Sequence, residues 1–155
     1  MTRRFNEADH DKKKTRITLP GNAAGLSPGQ LATLENRVRD SLTNDCLPCA
    51  IAFKIAEDMG VPVVAVGQLA DKIGRRITGC QIGCFKVEKT PRDDVRPEDI
   101  DEGVLNEVVA LDSRGELSCA AVFDLAARYG LKPLAVADAA NLRHLKVRNC
   151  QLGCF

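Results

Sequence analysis

Residues 49–85 read CAIAFKIAEDMGVPVVAVGQLADKIGRRITGCQIGCF, and residues 119–155 read CAAVFDLAARYGLKPLAVADAANLRHLKVRNCQLGCF. The two stretches align without a gap at an offset of 70, and 13 of their 37 positions are identical. Most of the other pairs keep their chemical character, as Ile55 and Leu125 do. The chain of 155 residues is therefore predicted to contain one module that occurs twice.

Each module is predicted to contain three helices followed by a short strand. The first helices begin near Pro28 and Pro97, because proline favours the first helical position and apolar residues follow at helical spacing. The second helices end at Gly60 and Gly130, since glycine commonly terminates helices. The predicted bounds are 44–59 and 64–73 for the second and third helices of the first copy, 114–129 and 134–142 for those of the second copy, and 75–78 and 145–148 for the strands.

Composition and charge divide the chain further. Residues 1–28 hold six basic and three acidic side chains and show no apolar periodicity, whereas the whole chain has a net charge of +1. The longest apolar run is six residues, so we expect no transmembrane helix, no membrane partner and a cytoplasmic location. The predicted organisation is a flexible basic tail at 1–27, a first module at 28–85, a polar linker at 86–95 and a second module at 96–155.

The second and third helices of each module resemble a helix-turn-helix. That pattern sets a small residue four positions before a turn glycine and buried aliphatic residues six and nine positions after it. The matching residues are Ala56, Gly60, Val66 and Leu69 in the first copy, and Ala126, Gly130, Val136 and Ala139 in the second. Because a short strand follows, each module is most similar to winged-helix proteins. The resemblance implies a mainly α fold of tandem winged-helix-like repeats in a pseudo-twofold arrangement.

The same resemblance implies that the exposed start of the third helix contacts DNA or a protein partner. Two acidic residues at the matching positions, Asp71 and Asp138, would repel a phosphate backbone, which disfavours strong reading of base sequence. The candidate nucleic-acid contacts are Gln68, Arg75, Arg76, Lys132, Asn141 and Arg143. Two modules in one chain can mimic a homodimer, so both a self-sufficient monomer and a homodimer stay open.

Seven cysteines are the most unusual feature of the composition. In a reducing compartment they indicate metal binding or redox chemistry before structural disulfides. If Cys46 and Cys49 lie in the first turn of one helix, they share a face where the helix dipole favours thiolate. Each copy also ends in a Cys-Gln-Ile/Leu-Gly-Cys-Phe motif, whose glycine allows a tight turn between two thiols.

These spacings predict a metal site in each copy, with an iron–sulfur cluster favoured over zinc. In the second copy Glu116 replaces the first cysteine as a possible fourth ligand, and with Ser113 it also fits a helix-capping box. The candidate ligands are Cys46, Cys49, Cys80 and Cys84 in the first copy, and Cys119, Cys150 and Cys154 with Glu116 in the second.

Other interpretations of the cysteines stay open. Cys49 and Cys119 lie beside small apolar residues and suit a buried face, where cysteine is often only a packing residue. A thiol switch is a further alternative, since two cysteines close in space can form a disulfide reversibly. Without a phosphate-binding loop or a catalytic motif, we expect no enzyme. The function predicted from the sequence is a metal-binding tandem winged-helix regulator or accessory protein, and the alternative is a thiol-redox or metal-carrier protein that acts without DNA.

Overall fold

The computed structural model describes residues 25–84 and 96–154, and this part of the chain is mainly α-helical. Most of the predicted tail at 1–27 and the whole predicted linker at 86–95 lie outside the described residues. In chain order the described elements are α1 (Pro28–Asp40), β1 (Cys46–Pro48), α2 (Cys49–Met59), α3 (Val63–Lys72), β2 (Arg76–Thr78), a 3₁₀ turn (Pro97–Asp99), α4 (Glu102–Ser113), α5 (Cys119–Tyr129) and α6 (Pro133–Leu142).

Helix α1 begins where the sequence predicts. Ser27 is its N-cap, and the Gln30 backbone N–H donates to the Ser27 Oγ over 3.2 Å. In return the Ser27 backbone N–H donates to the Gln30 Oε1 over 2.9 Å, which completes a capping box. Leu34 and Val38 face the core one turn apart, so this helix packs against α2 and α3 through one apolar stripe.

The second helix of the first copy begins at Cys49, and the predicted start near residue 44 is wrong. Asn44 and Asp45 take left-handed backbone angles, with φ of 51° and 62°. Both residue types tolerate this conformation, and here they form a turn that is closed by two backbone hydrogen bonds between Thr43 and Cys46. The chain then runs extended to Pro48, the N-cap of α2, because a proline disfavours helical angles at the residue before it.

The first two helices of the second copy also begin later than predicted. Pro97 opens a 3₁₀ turn, and α4 begins only after Asp101, whose carboxylate accepts from two backbone N–H groups of the first helical turn. Ser113 ends α4, so it does not form the predicted capping box with Glu116. The N-cap of α5 is Ser118, which accepts from the Ala121 N–H over 3.1 Å.

The turns and third helices agree with the sequence prediction. Gly60 and Gly130 end their helices with φ of 63° and 62°, angles that glycine adopts at little cost. Helices α3 and α6 follow after two residues, and their bounds agree with the predicted ones to within a residue. Helix α3 packs against α1 and α2, while α6 packs against α4 and α5.

The strand predicted after the third helix forms in the first copy and pairs with an element that the sequence did not indicate. β2 pairs in parallel with β1, with Cys46 opposite Arg76, Leu47 opposite Ile77 and Pro48 opposite Thr78. In the second copy the same pairing shrinks to one parallel bridge between Ser118 and Arg148. The extended end of each copy is therefore held by the residues that precede its second helix.

The core residues of the two copies correspond at the offset of 70. This correspondence reaches further toward the N-terminus than the sequence alignment, because Leu34 and Val38 in α1 match Val104 and Val108 in α4. The other fully buried pairs include Leu47/Leu117, Ala52/Val122, Ile55/Leu125, Val66/Val136, Ala70/Ala140 and Ile82/Leu152. The duplication therefore covers the whole described module.

The described chain forms two compact units whose bounds cross the sequence repeats. Of the described residues, one unit contains 25–80 together with 151–154, and the other contains 81–84 and 96–150. The four residues after Cys80 thus group with the second copy, while those after Cys150 group with the first. In the described ranges no helix is both long and apolar enough to cross a bilayer.

Candidate cysteine centres and the third-helix surface

The parallel strand pair brings Cys49 and Cys80 to the same end of the first unit. Cys49 follows Pro48, the last residue of β1, and Cys80 lies two residues after Thr78, its partner at the end of β2. Between them Gly79 turns the chain with φ of 61°. Two cysteines that are 31 positions apart in the sequence thus leave neighbouring strands at one edge, and both are buried.

The second unit repeats this arrangement with Cys119 and Cys150. Cys119 follows Ser118, whose bridge partner Arg148 lies two residues before Cys150. The Cys119 N–H donates to the Arg148 carbonyl over 3.0 Å, so the start of α5 is held directly against this strand. Asn149 takes the left-handed angle that Gly79 takes in the first copy, with φ of 55°. Cys119 is buried, whereas Cys150 is partly exposed.

The remaining cysteines do not assemble as the sequence suggests. Cys46 opens β1 and lies at the opposite end of that strand from Cys49, so the predicted shared face in a first helical turn does not exist. Three residues of extended chain separate Cα atoms by roughly 10 Å, compared with about 5–6 Å for neighbouring positions on one helix face. Cys84 groups with the second unit and Cys154 with the first.

The carboxylate predicted as a fourth ligand lies on the surface. Glu116 follows the end of α4, with 60% of its side chain exposed, and it accepts from Arg114 Nε over 3.0 Å. Cys119, three residues later, is buried at the start of α5. The structure therefore shows Glu116 in an ion pair and gives no geometric support for its role as a ligand.

Thiolate ligands suit zinc or an iron–sulfur cluster, but the positions of the described cysteine side chains do not. All seven cysteines are thiols. In the part of the chain that the structure describes, no three or more His, Cys, Asp or Glu side chains come together in a way that would hold a metal ion. The sulfur ligands of such centres must converge on one point. The two units share instead the placement of two cysteines, one directly after a paired strand residue and one two positions after the partner of that residue.

The candidate nucleic-acid contacts differ in their exposure. Lys132 and Arg143, at the two ends of α6, are exposed, whereas the other four are partly buried. Arg75 is largely covered, with 13% of its side chain exposed, and its Nη1 donates to Asp45 Oδ1 over 3.2 Å. These residues do not form one continuous basic surface on either third helix.

A close backbone contact covers part of α3. Gly67 is buried in the middle of this helix, and a Cβ atom at this position would overlap the Leu152 carbonyl oxygen and lie 2.8 Å from its carbonyl carbon. Leu152 itself is 1% exposed. We did not predict this contact from the sequence, although an isolated glycine in a helical pattern is a signal of close backbone approach.

Each unit joins its first and second helices through an ion pair at equivalent positions, with the charges exchanged. Arg37 donates to Asp58 over 3.1 Å in the first unit, and Arg128 donates to Glu107 over 2.7 Å in the second. The Arg128 hydrogen bond, aided by one from Tyr129, holds the pKa of Glu107 below its ordinary value. The Tyr129 hydroxyl donates a hydrogen bond to Glu107 Oε1 over 2.9 Å, and this bond raises the pKa of Tyr129.

An open groove of about 850 Å³ runs beside the turn between α2 and α3. Phe53, Val61 and Val63 contribute its apolar wall, and Lys54 and Glu57 contribute charges. The groove is lined by none of the cysteines and by none of the candidate nucleic-acid contacts. It is therefore separate from the cysteine pairs.

Comparison of the chain with protein-family models, curated proteins and solved structures found no match.

Proposed function

We propose that this chain is a regulatory or accessory protein of the tandem winged-helix type, and that its functional centres are the pairs Cys49/Cys80 and Cys119/Cys150. The observation that supports this proposal is the repetition of one arrangement. In both units, the cysteine at the start of the second helix directly follows a paired strand residue, and a second cysteine lies two positions after the partner of that residue. A packing role alone would not require a thiol at all four positions, because alanine or valine also fills a core.

Reversible dithiol chemistry is the activity that paired thiols support best. Two thiols lose two protons and two electrons to form one disulfide, and a low-molecular-weight disulfide that accepts the electrons is reduced to two thiols. The second unit is the more accessible one, since Cys150 is partly exposed. Its strand pairing is also limited to a single bridge, so small movements there meet less resistance. Oxidation would lock the start of α5 to the strand end and so set the position of that helix.

Metal binding is the second candidate, and one observation favours it. The first unit contains four cysteines, three of them buried, and buried thiolates are common ligands in structural metal sites. They are Cys46, Cys49, Cys80 and Cys154. These side chains would have to move together, because no described group of three is in place. Zinc or an iron–sulfur cluster would supply a cross-link between the two strands, the start of α2 and the segment Gln151–Cys154.

The macromolecular partner is proposed from the helix-turn-helix resemblance. Lys132 and Arg143 are the exposed cations that a phosphate backbone would meet at α6. A protein partner at the third helices is the alternative, and it would need no basic surface. A cytoplasmic location is part of the proposal, because a reducing compartment keeps thiols available for such chemistry.

Anaerobic purification followed by metal analysis, an absorption spectrum and a thiol count separates these candidates. A dithiol protein yields no stoichiometric metal, and titration with glutathione disulfide produces an intramolecular disulfide that peptide mass spectrometry assigns to Cys119 and Cys150. The variant Cys150→Ser should abolish that cross-link, and the matched control Cys84→Ser should leave it. Stoichiometric zinc or a brown sample would favour the metal centre instead. A chain that binds no metal and forms no cross-link at any redox poise would refute both candidates.

A further inference from the structure

The segment Gln151–Cys154 packs on the middle of α3. The segment groups with the first unit, and the Leu152 backbone lies directly against Gly67. This approach is possible only because position 67 has no side chain: a single added methyl group would overlap the Leu152 carbonyl. Leu152 is fully buried, and Gly153, with φ of 77°, turns the chain beside it.

The covered position belongs to the surface that the helix-turn-helix resemblance assigns to macromolecular contact. The resemblance assigns six positions of the first copy to this surface, and of these only Pro62 is exposed: Pro62, Val63, Val64, Gly67, Gln68 and Asp71. Gly67 is buried, and Gln68 and Asp71, one and four positions later, are partly buried. An incoming DNA duplex could not reach the helix backbone at Gly67 while Leu152 lies against it.

We propose that this contact is autoinhibitory: the segment Gln151–Cys154 closes the contact face of α3, and the face opens to a nucleic-acid duplex only when the segment leaves. This inference rests on the proposed tandem winged-helix role. Exposed Lys72 and partly exposed Arg76, at and after the end of α3, favour a duplex over an apolar protein surface, whereas Arg75 is held by Asp45. The closed state thus keeps a helix with a basic end from acting as a contact surface.

The contact differs between the two copies, which makes the first unit the regulated one. Ala137 stands where Gly67 stands in the first copy, so a backbone cannot approach α6 as closely at that position. In the closed segment only one large side chain, Leu152, is fully buried, so a single substitution on either side of the contact should open it.

The experiment compares three full-length variants with the parent chain. Gly67→Ala adds a methyl group that overlaps Leu152, whereas the control Gly29→Ala adds one on α1 with nothing within 4 Å. Leu152→Ala weakens the contact from the other side without changing the sequence of α3. Two quantities are measured: the rate at which N-ethylmaleimide modifies Cys154 in the native protein, and the retention of a generic DNA duplex at increasing salt. Circular dichroism checks that each variant is folded.

We expect Gly67→Ala and Leu152→Ala to raise both the modification rate of Cys154 and the affinity for the duplex by at least about tenfold, and Gly29→Ala to change neither. If Cys154 reacts faster while duplex binding stays at the parental level, the face is not a nucleic-acid contact surface and the proposal is overturned. Unchanged reactivity of Cys154 in a folded Leu152→Ala variant also overturns it. Neither result bears on the cysteine pairs, whose own test is the metal and disulfide measurement.

Discussion

Replacing Leu152 with alanine should loosen α3, although Leu152 belongs to the second sequence repeat. The side chain is 1% exposed and lies in the first unit beside Gly67. The substitution removes three carbon atoms from a buried site. At about 0.8 kcal/mol per buried CH₂ group, the lost transfer free energy is about 2.4 kcal/mol. The cavity that remains brings the expected loss of stability into the range of about 2–5 kcal/mol.

Hydrogen exchange followed by mass spectrometry measures where this loss falls. If α3 opens together with the segment, a loss of about 2.4 kcal/mol corresponds to roughly 50-fold faster exchange in Val63–Lys72, since 1.4 kcal/mol is a factor of ten. Amides of Pro133–Leu142 should keep their parental rates. Ile82→Ala provides the mirror experiment, because Ile82 is buried in the second unit. It should accelerate α6 and spare α3.

A matched control is Leu131→Ala, because Leu131 has the same side chain but is 40% exposed. Its effect on the free energy of unfolding should stay within about 0.5 kcal/mol, as for most surface substitutions. The reasoning is refuted if Leu152→Ala accelerates exchange in α6 and leaves α3 protected. That result would mean that each cysteine motif packs within its own sequence repeat.

Three further predictions follow from the thiols and the charged pairs. In the native chain, N-ethylmaleimide should first modify the three cysteines that are not buried, Cys84, Cys150 and Cys154. Peptide mass analysis that shows the four buried cysteines reacting earlier would contradict the fold. Arg37→Glu should reduce stability by up to about 1 kcal/mol, and adding Asp58→Arg should restore it; a double-mutant cycle in urea that shows no coupling between the two would contradict the ion pair. Because Arg128 lowers the pKa of Glu107, this pair stabilises the folded state at neutral pH, and its contribution is lost as the pH falls through the lowered pKa. The free energy of unfolding should therefore fall less steeply toward acid pH in Glu107→Gln than in the parent chain. The same pH dependence in both proteins would refute the coupling.

Local signals in the sequence predicted most of the helical structure. The turn glycines at 60 and 130 and the apolar spacing behind them predicted α3 and α6 to within a residue, because helix termination and amphipathic periodicity are local properties. The start of α2 was predicted wrongly for a local reason too. Asn44 and Asp45 are favourable both at a helix N-cap and in a left-handed turn, and the sequence pattern does not distinguish these uses.

The candidate site was less predictable than the helices. The cysteines were chosen for their repetition, and the structure confirms that Cys49 and Cys119 lie at equivalent helix starts. The ligand set that joined Cys46 to Cys49 depended on a helical turn that does not form. The pairing with Cys80 and Cys150 depends on strand register between segments about 30 residues apart, and no local pattern encodes such a register.

The sequence by itself indicated that one module occurs twice and that the chain is mainly helical. These properties follow from identity at a fixed offset and from the spacing of apolar residues along each helix. The tertiary structure alone decided which cysteines follow paired strand residues and that the segment Gln151–Cys154 lies against α3. The physical reason is that Leu152 and Ile82 are both apolar and occupy equivalent positions, so the sequence does not distinguish what each of them packs against. The Leu152 backbone lies against α3 because Gly67 has no side chain there.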